Sequence, residues 1–195
     1  MSKSMINEAA APYPDDRLIT AHEFARHPES EYCELKRGRV VPMFPPKHRH
    51  GLLVARIVFF LQQFTSARGS GMVMAESGVQ TESDPDTVRG PDASYMSAER
   101  YRKIAGTNGF PTIMPEICIE VVSPSDRWPL LRAKAVEYLT AGVQQVWIVD
   151  GEQRKVHVFA EGREEEVLEE GDALETENLL PGFRLDLKAY FSLLD

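Results

Sequence analysis

The stretch PEICIEVVSPSDRWPLLRAKAVEYL, residues 115–139, decides the fold because it joins a strongly apolar segment to a helical segment through a short polar turn. Its apolar part, residues 117–122, is rich in β-branched residues and is interrupted by one acid, Glu120. Such a run is typical of a strand in the middle of a sheet that is covered on both faces. An ionised carboxylate there is costly unless a cation or a proton compensates it. Glu120 is therefore the first candidate functional residue.

The segments that precede this stretch predict one long helix and several strands. Residues 48–68 are apolar around most of the helix circumference and end at Gly69, so we expect this helix to be covered on more than one side. A hairpin is expected around Arg37 and Gly38. Residues 72–84 and 87–97 read as two strands separated by a turn at Asp84, Pro85 and Asp86.

The segments that follow the apolar strand predict a helix at 127–141, capped by Ser125 or Asp126. After it we expect strands in hairpin order, then a short strand and helix: residues 143–150, 151–160, 164–170 and 179–194. Together these elements predict an α/β fold. Its mixed central β-sheet is flanked by helices, with an N-terminal hairpin and C-terminal antiparallel strands.

The 195 residues are enough for one domain with a sizeable core and too few for two ordinary ones. We expect a flexible arm at residues 1–16 and a single domain at 17–195, with a capping box between Thr20 and Glu23 at its start. Cys33 and Cys118 lack the spacing of a zinc site and are expected to be reduced packing residues. No leader or membrane-spanning pattern is present, so a soluble, cytoplasmic protein is expected.

The net charge of −8 is unevenly distributed along the chain. Residues 150–195 contain 13 acidic and 5 basic side chains, which accounts for the whole imbalance. Residues 35–75 contain no acid and seven bases: Lys36, Arg37, Arg39, Lys47, Arg49, Arg56 and Arg68. One region could therefore face phosphates while another repels them, although ordinary solvated surface charge also explains the pattern.

Two further residues have the chemistry to act with Glu120. Asp92 follows Gly90 and Pro91 at the start of a predicted strand, although Pro-Asp is also common in simple turns. Lys134 falls between apolar residues on the predicted helix face that packs against the sheet. A lysine there needs an acceptor, which could be Glu120. It could instead extend to solvent or pair with Glu137 three residues later.

The combination of motifs resembles the Uma2 family (DUF820) of endonucleases in the PD-(D/E)XK nuclease superfamily. The likeness covers roughly residues 30–185 and includes CELKRGRVV, PPKHRHGLLVARI, GPD, IEVVSPSD, EYLTAGV, VWIVD and LLPGFRL. It implies a restriction-endonuclease-like core and hydrolysis of phosphodiester bonds in nucleic acid, with DNA as the expected substrate. In the simplest superfamily spacing the lysine would occupy position 122, which is valine here, and in this family the lysine has moved to the following helix.

By matching position, the resemblance implies that Asp92 and Glu120 are metal ligands, with Mg²⁺ or Mn²⁺ as the cofactor, and that Lys134 is the third catalytic residue. Glu34 matches a further family acid that could complete the shell of the cation or orient a water. Lys47, Arg49 and His50 are candidate substrate-binding residues, with His50 contacting phosphate or relaying a proton. A histidine at the start of a helix is, however, more often a surface residue.

Three functions remain open from the residues alone. The first is a metal-dependent endonuclease, in which the cation neutralises the phosphoryl group and Lys134 stabilises developing charge. The second is a nuclease-derived module that binds nucleic acid or protein without cutting. The third is glycoside hydrolysis by paired acids, which requires no metal. A homodimer is expected from the apolar surface of residues 51–68 and from the two cuts that sever a duplex.

Overall fold

The computed structural model describes residues 17–27 and 30–194. The predicted arm at residues 1–16 lies outside the described residues. There are five α-helices in the described part of the chain: α1 (Ala21–Phe24), α2 (His48–Arg68), α3 (Ala98–Ile104), α4 (Trp128–Ala141) and α5 (Leu187–Phe191). The strands are β1 (Cys33–Lys36), β2 (Arg39–Pro42), β3 (Gly71–Ala75), β4 (Val79–Glu82), β5 (Thr87–Arg89), β6 (Ala93–Ser97), β7 (Ile117–Val121), β8 (Gln145–Asp150), β9 (Lys155–Ala160), β10 (Glu166–Glu169), β11 (Ala173–Glu175) and β12 (Arg184–Asp186).

A six-stranded mixed sheet in the order β10-β9-β8-β7-β6-β3 forms the centre of the fold. The pair β7–β8 is parallel and the other pairs are antiparallel. A parallel pair needs a crossover connection, and α4 provides it. The predicted restriction-endonuclease-like α/β architecture, with a mixed sheet between helices, is confirmed.

Strand β7 lies in the middle of this sheet, and both of its faces are covered. Ile117, Ile119 and Val121 pack into the core on the side of α2, whereas Cys118 packs into the core on the side of α4. Because side chains alternate along a strand, Glu120 faces α4 together with Cys118. The run of apolar residues thus fills two cores, and the acid is placed under the crossover helix.

A second sheet of four strands, in the order β2-β1-β5-β4, packs beside the first. The prediction of continuous strands at 72–84 and 87–97 was wrong, because each segment divides between the two sheets. The first breaks after β3, where Glu76 adopts a positive φ of 49°. The second breaks at Gly90, Pro91 and Asp92, between β5 and β6. Asp92 therefore lies where the chain passes from one sheet to the other.

The helix ends follow the sequence in most places. Helix α2 begins at His48 and ends before Gly69, which has a left-handed φ of 60°, and the capping box of Thr20 and Glu23 is present. The prediction that Ser125 or Asp126 caps α4 was wrong, since the N-cap residue is Arg127 and its side chain makes no capping bond. Asp126 instead accepts a hydrogen bond from the Ser123 backbone N–H at 2.7 Å. It stabilises the turn before the helix.

Helix α2 is buried along one face and exposed along the other. His50, Leu53, Ile57, Leu61 and Thr65 point into the protein. On the outer face, Leu52 and Phe59 are 49% and 57% exposed, so in this chain alone the helix is covered on fewer sides than the sequence predicts. Cys33 and Cys118 are both buried and are not joined in a disulfide, as expected.

Candidate active site

Asp92 and Glu120 meet because β6 and β7 are adjacent antiparallel strands. Ala93 pairs with Ile119, so Asp92, one residue earlier, lies beside Glu120. The Val121 backbone N–H donates a hydrogen bond of 2.6 Å to Asp92 Oδ2. The Asp92 side chain is 21% exposed and that of Glu120 is 10% exposed. The structure therefore brings a partly open carboxylate next to a buried one.

Lys134 reaches the same point from α4. Leu131, Ala135 and Tyr138 form the buried face of this helix, and Lys134 lies within it. Its Nζ is 2.8 Å from Glu120 Oε1 and 3.0 Å from Glu34 Oε1. The predicted contact between Lys134 and Glu120 is present, while the alternative partner Glu137 binds elsewhere.

Glu120 is held by two donors but remains electrostatically unfavourable. Besides Lys134, the Tyr138 hydroxyl donates to Glu120 Oε1 at 2.8 Å. Burial nevertheless raises the pKa of Glu120 to about 7, with the charges of Asp92 and Glu34 adding to the effect of burial and Lys134 opposing it. Burial alone would lower the pKa of the Lys134 amine, but Glu120 and Glu34 outweigh it and raise that pKa. The lysine is thus a firmly held cation beside an under-compensated acid.

Glu34 joins the site from the second sheet. Its Oε1 accepts from the Gly90 backbone N–H at 3.2 Å as well as contacting Lys134. Its Oε2 accepts from Arg89 Nη1 at 2.7 Å. Burial would raise the pKa of Glu34, yet the charges of Lys134 and Arg89 outweigh burial and lower it. Glu34 is therefore a carboxylate shared between two cations.

Sequence reasoning did not assign three residues that complete this cluster, Arg89, Glu137 and Tyr138, and considered Glu137 only as a partner of Lys134. Arg89 makes two hydrogen bonds to Glu137, at 2.8 and 2.6 Å. Glu137 and Tyr138 stand three and four residues after Lys134, a spacing that places them on its side of the helix. That spacing could have identified both residues. Nothing in the local sequence distinguishes Arg89 from an exposed arginine.

His50, one of the three predicted substrate-binding residues, lies inside the site. It is the third residue of α2, is buried, and places Nε2 3.2 Å from Asp92 Oδ2. Burial lowers the pKa of its imidazole, but the hydrogen bond and charge of Asp92 outweigh burial and raise that pKa. Its Nδ1 is buried and has no hydrogen-bond partner among the described residues. The histidine therefore supports the orientation of Asp92.

Lys47 and Arg49 lie at the same end of α2 but on the surface. Lys47 is the exposed N-cap residue. Arg49 is exposed and donates to the backbone carbonyl of Leu194 at 3.3 Å, which directs it toward the C-terminal segment. Their predicted contact with substrate stays a prediction.

The donor set suits a cation that uses few protein ligands. In the described residues no three His, Cys, Asp or Glu side chains are arranged to hold a metal ion together. Mg²⁺ commonly takes one or two carboxylates and completes its shell with water and substrate phosphate, so Asp92 and Glu120 fit it. The charge balance of the site also fits a divalent cation, because Arg89 and Lys134 offset Glu34 and Glu137. Asp92 and Glu120 then remain, beside the titratable His50, as two negative charges suited to one divalent ion.

Within residues 17–27 and 30–194, no helix combines the length and apolar character needed to cross a membrane.

Comparison with known proteins identifies the family to which this fold belongs. A crystal structure of "a putative nuclease belonging to DUF820" from Anabaena variabilis superposes with a TM-score of 0.78 at 23% sequence identity, covering 91% of this chain and 99% of that chain. No curated protein matches the chain. The model of the family Uma2, described as "Putative restriction endonuclease", matches residues 21–188. This match spans the strand, the crossover helix and every side chain of the cluster, and the chain belongs to the Uma2 family.

Proposed function

We propose that the protein is a metal-dependent endonuclease that hydrolyses phosphodiester bonds of DNA. One observation carries the proposal: Lys134 contacts Glu120 at 2.8 Å while Asp92 is hydrogen-bonded to the residue after Glu120. Two carboxylates and an amine thus converge on one partly open point. Family membership supports the nuclease activity. The metal, the substrate and the role of each residue are our proposal.

Asp92 and Glu120 would hold Mg²⁺ or Mn²⁺ through their carboxylate oxygens. When bound, the cation supplies charge neutralisation at the phosphoryl group and a lowered pKa for a water molecule. His50 and the Val121 N–H fix one oxygen of Asp92, which orients the other oxygen. Lys134 and Tyr138 likewise fix Oε1 of Glu120, which orients its other oxygen. The protein thereby presents both carboxylates in a defined geometry before substrate binds.

Lys134 is proposed to act on the reacting phosphate or on the attacking water. Its amine carries a full positive charge at neutral pH, since the neighbouring carboxylates raise its pKa. An ammonium group has three donors, and Glu34 and Glu120 account for two partners. The remaining donor can stabilise negative charge that develops in the transition state. Glu34 is accordingly a holder of the lysine in our proposal.

A substrate with phosphate charges matches the basic composition of residues 35–75. Lys36, Arg37, Arg39, Lys47 and Arg49 are all exposed. They belong to the acid-free part of the chain, so these side chains attract a polyanion while the acidic C-terminal region repels it.

The proposal is tested by incubating supercoiled plasmid with purified protein and Mg²⁺ or Mn²⁺. We expect nicked and linear products, their loss in EDTA, and their loss in Lys134→Ala. Cleavage that persists in EDTA would contradict the metal-dependent mechanism. If the protein binds plasmid but does not cleave it with any divalent ion, the endonuclease proposal is contradicted and a non-cleaving binding module is supported. A parallel assay on single-stranded DNA and on RNA checks the preference for duplex DNA.

We also propose that the protein forms a homodimer through the outer face of α2. Leu52 and Phe59 are seven residues apart, so they lie on the same exposed helix face. Light scattering should give twice the chain mass of 22.0 kDa, and Phe59→Glu should give the single mass. A monomer at micromolar concentration in the unsubstituted protein would refute the dimer.

A further inference from the structure

Arg89 occupies an unusual position for an arginine, because its guanidinium is buried between two acids. Its side chain is 10% exposed. Nε and Nη2 bind the two oxygens of Glu137 at 2.8 and 2.6 Å, and Nη1 binds Glu34 at 2.7 Å. The Thr81 hydroxyl also donates to Glu137, at 2.7 Å. The three kinds of nitrogen in the guanidinium all have defined partners.

These contacts form a closed ring that contains Lys134. The lysine binds Glu34, Glu34 binds Arg89, and Arg89 binds Glu137. Glu137 lies three residues after Lys134 on the same helix, so the last link returns to the starting element. The ring joins β1, β5 and α4. A shift of any one of these elements therefore moves the acceptors that surround the amine of Lys134.

Glu34 links the two cations through different oxygens. Oε2 faces Arg89, which leaves Oε1 for Lys134 and the Gly90 N–H. A carboxylate fixed at one oxygen by a guanidinium has little freedom to rotate the other. Because a lysine side chain is flexible and its charge is compact, the fixed Oε1 decides where the amine rests. Glu120, 2.8 Å away, then completes the position.

We propose that Arg89, anchored by Glu137, is a positioning residue that sets the location of the Lys134 amine relative to Glu120. Its role rests on the proposed function, in which that amine acts on the phosphate. Arg89 does not itself contact the proposed metal ligands. It acts through Glu34, and its planar fork cannot be replaced by a lysine, which has a single nitrogen.

The test compares Arg89→Lys with Arg100→Lys. Arg100 also pairs with a buried acid, Glu116, at 3.1 Å, but that pair lies at the other end of β7. In Arg89→Lys we expect kcat for plasmid cleavage to fall about a hundredfold, the size of effect that small misplacements of a catalytic group produce. KM and the Mg²⁺ concentration for half-maximal rate should each change less than about twofold, as the ligands stay in place. Arg100→Lys should retain kcat.

An unchanged kcat in a folded Arg89→Lys protein would overturn the proposal, and so would an equal loss in both variants. If Arg89→Lys does not fold, Glu137→Gln takes its place, since it keeps the side-chain shape and weakens the anchor of Arg89. We expect a smaller fall in kcat, about tenfold, with KM unchanged. Full kcat in folded Glu137→Gln would equally overturn the proposal.

A second readout needs no cleavage at all. Lysine acetylation followed by mass spectrometry measures how accessible Lys134 is relative to Lys103, whose side chain is 55% exposed. Lys134 should be protected in the unsubstituted protein and label at least about threefold faster in Arg89→Lys, because a displaced amine loses its ion pairs. Unchanged labelling overturns the positioning role. Increased labelling in a protein that never cleaves would keep that role and reject the nuclease function.

Discussion

A buried glutamate lies near each end of strand β7, and only one of the two has the surroundings of a reactive site. Glu116, which is 8% exposed, precedes the strand; its Oε2 accepts from the Ser97 N–H at 2.8 Å and its Oε1 pairs with Arg100. Glu120, which is 7% exposed when its backbone is included, lies near the other end and shares its surroundings with Asp92 and Glu34. Equal burial thus produces a matched ion pair at one end and an excess of negative charge at the other.

The difference shows that the surroundings of a buried acid, rather than its burial, distinguish a structural role from a functional one. Arg100 is anchored a second time by donating to the Met114 carbonyl at 2.8 Å, so the pair at Glu116 fixes a loop to the sheet. At Glu120, burial and neighbouring acids raise the pKa to about 7, and a divalent cation would relieve that cost.

Glu120→Gln should cause the largest effect, a loss of Mg²⁺-dependent cleavage of about a thousandfold or more, since it removes a metal ligand. Glu116→Gln, the same substitution at the other end of the strand, should cleave within about twofold of the unsubstituted protein. The measurement is the initial rate of plasmid nicking at saturating Mg²⁺. Equal losses of activity in both variants would mean that the substitutions disturb the structure of the strand and do not act through the charge cluster at Glu120.

Lys134→Met should lower kcat about a hundredfold, the usual contribution of a positioned proton-transfer or charge-stabilising group. The methionine keeps the length of the side chain and removes the charge. Because two buried carboxylates lose their cation, the assay should be run well below the melting temperature of the variant. Lys103→Met, at a surface pair with Glu99, is the control. Undiminished kcat in the folded Lys134 variant would remove the lysine from the proposed mechanism.

The free energy of unfolding of the metal-free protein should depend on pH because of the excess negative charge around Glu120. A carboxyl group whose folded-state pKa is about 7, above its ordinary 4.5, favours folding below pH 4.5 and loses that contribution as the pH rises toward 7. Gln at position 120 does not titrate. Relative to the unsubstituted protein, Glu120→Gln should therefore gain about 2 kcal/mol in free energy of unfolding between pH 5 and pH 8.

Urea denaturation in EDTA at the two pH values measures this difference, and other titrating groups cancel between the two proteins. A stability difference that stays constant, or moves the opposite way, would mean that Lys134 and Tyr138 compensate Glu120 fully.

Glu116→Gln should show the smallest effect, a loss of about 1 to 2 kcal/mol in the free energy of unfolding, because Arg100 keeps a weaker, uncharged acceptor. The same urea experiment at pH 8 measures it. A gain in stability at this position would contradict the description of Glu116 as a matched structural pair.

The sequence was informative wherever the physics is local. The β-branched run around Glu120 predicted a buried strand, and Gly69 predicted the end of α2. The angular positions of Leu130, Leu131, Lys134 and Tyr138 predicted the inward face of α4. That prediction was wrong only for Leu130, which is 56% exposed. The contact between Lys134 and Glu120 followed from these two elements, since a crossover helix packs over the strand it leaves. Asp92 was a candidate from its position at the start of a predicted strand, whereas Glu34 was suggested only by resemblance to the family.

The parts that could not be predicted depend on pairing between distant segments. Residues 72–84 look like one strand, yet β3 and β4 pair in different sheets, a choice that the tertiary partners make. From its local sequence, Arg89 looks like an exposed residue of a strand. It is buried only because β1 and α4, from distant parts of the chain, pack around it. The predicted cap of α4 was wrong for a related reason, because the Asp126 carboxylate accepts a hydrogen bond from the Ser123 N–H within the preceding turn.

The most direct test of the central claim is anomalous diffraction from a crystal soaked in Mn²⁺, a metal with the same preference for oxygen ligands as Mg²⁺. We predict a manganese peak in contact with the carboxylates of both Asp92 and Glu120, absent in Glu120→Gln and retained in Glu116→Gln. Manganese bound elsewhere, or a peak that persists unchanged in Glu120→Gln, would contradict the account.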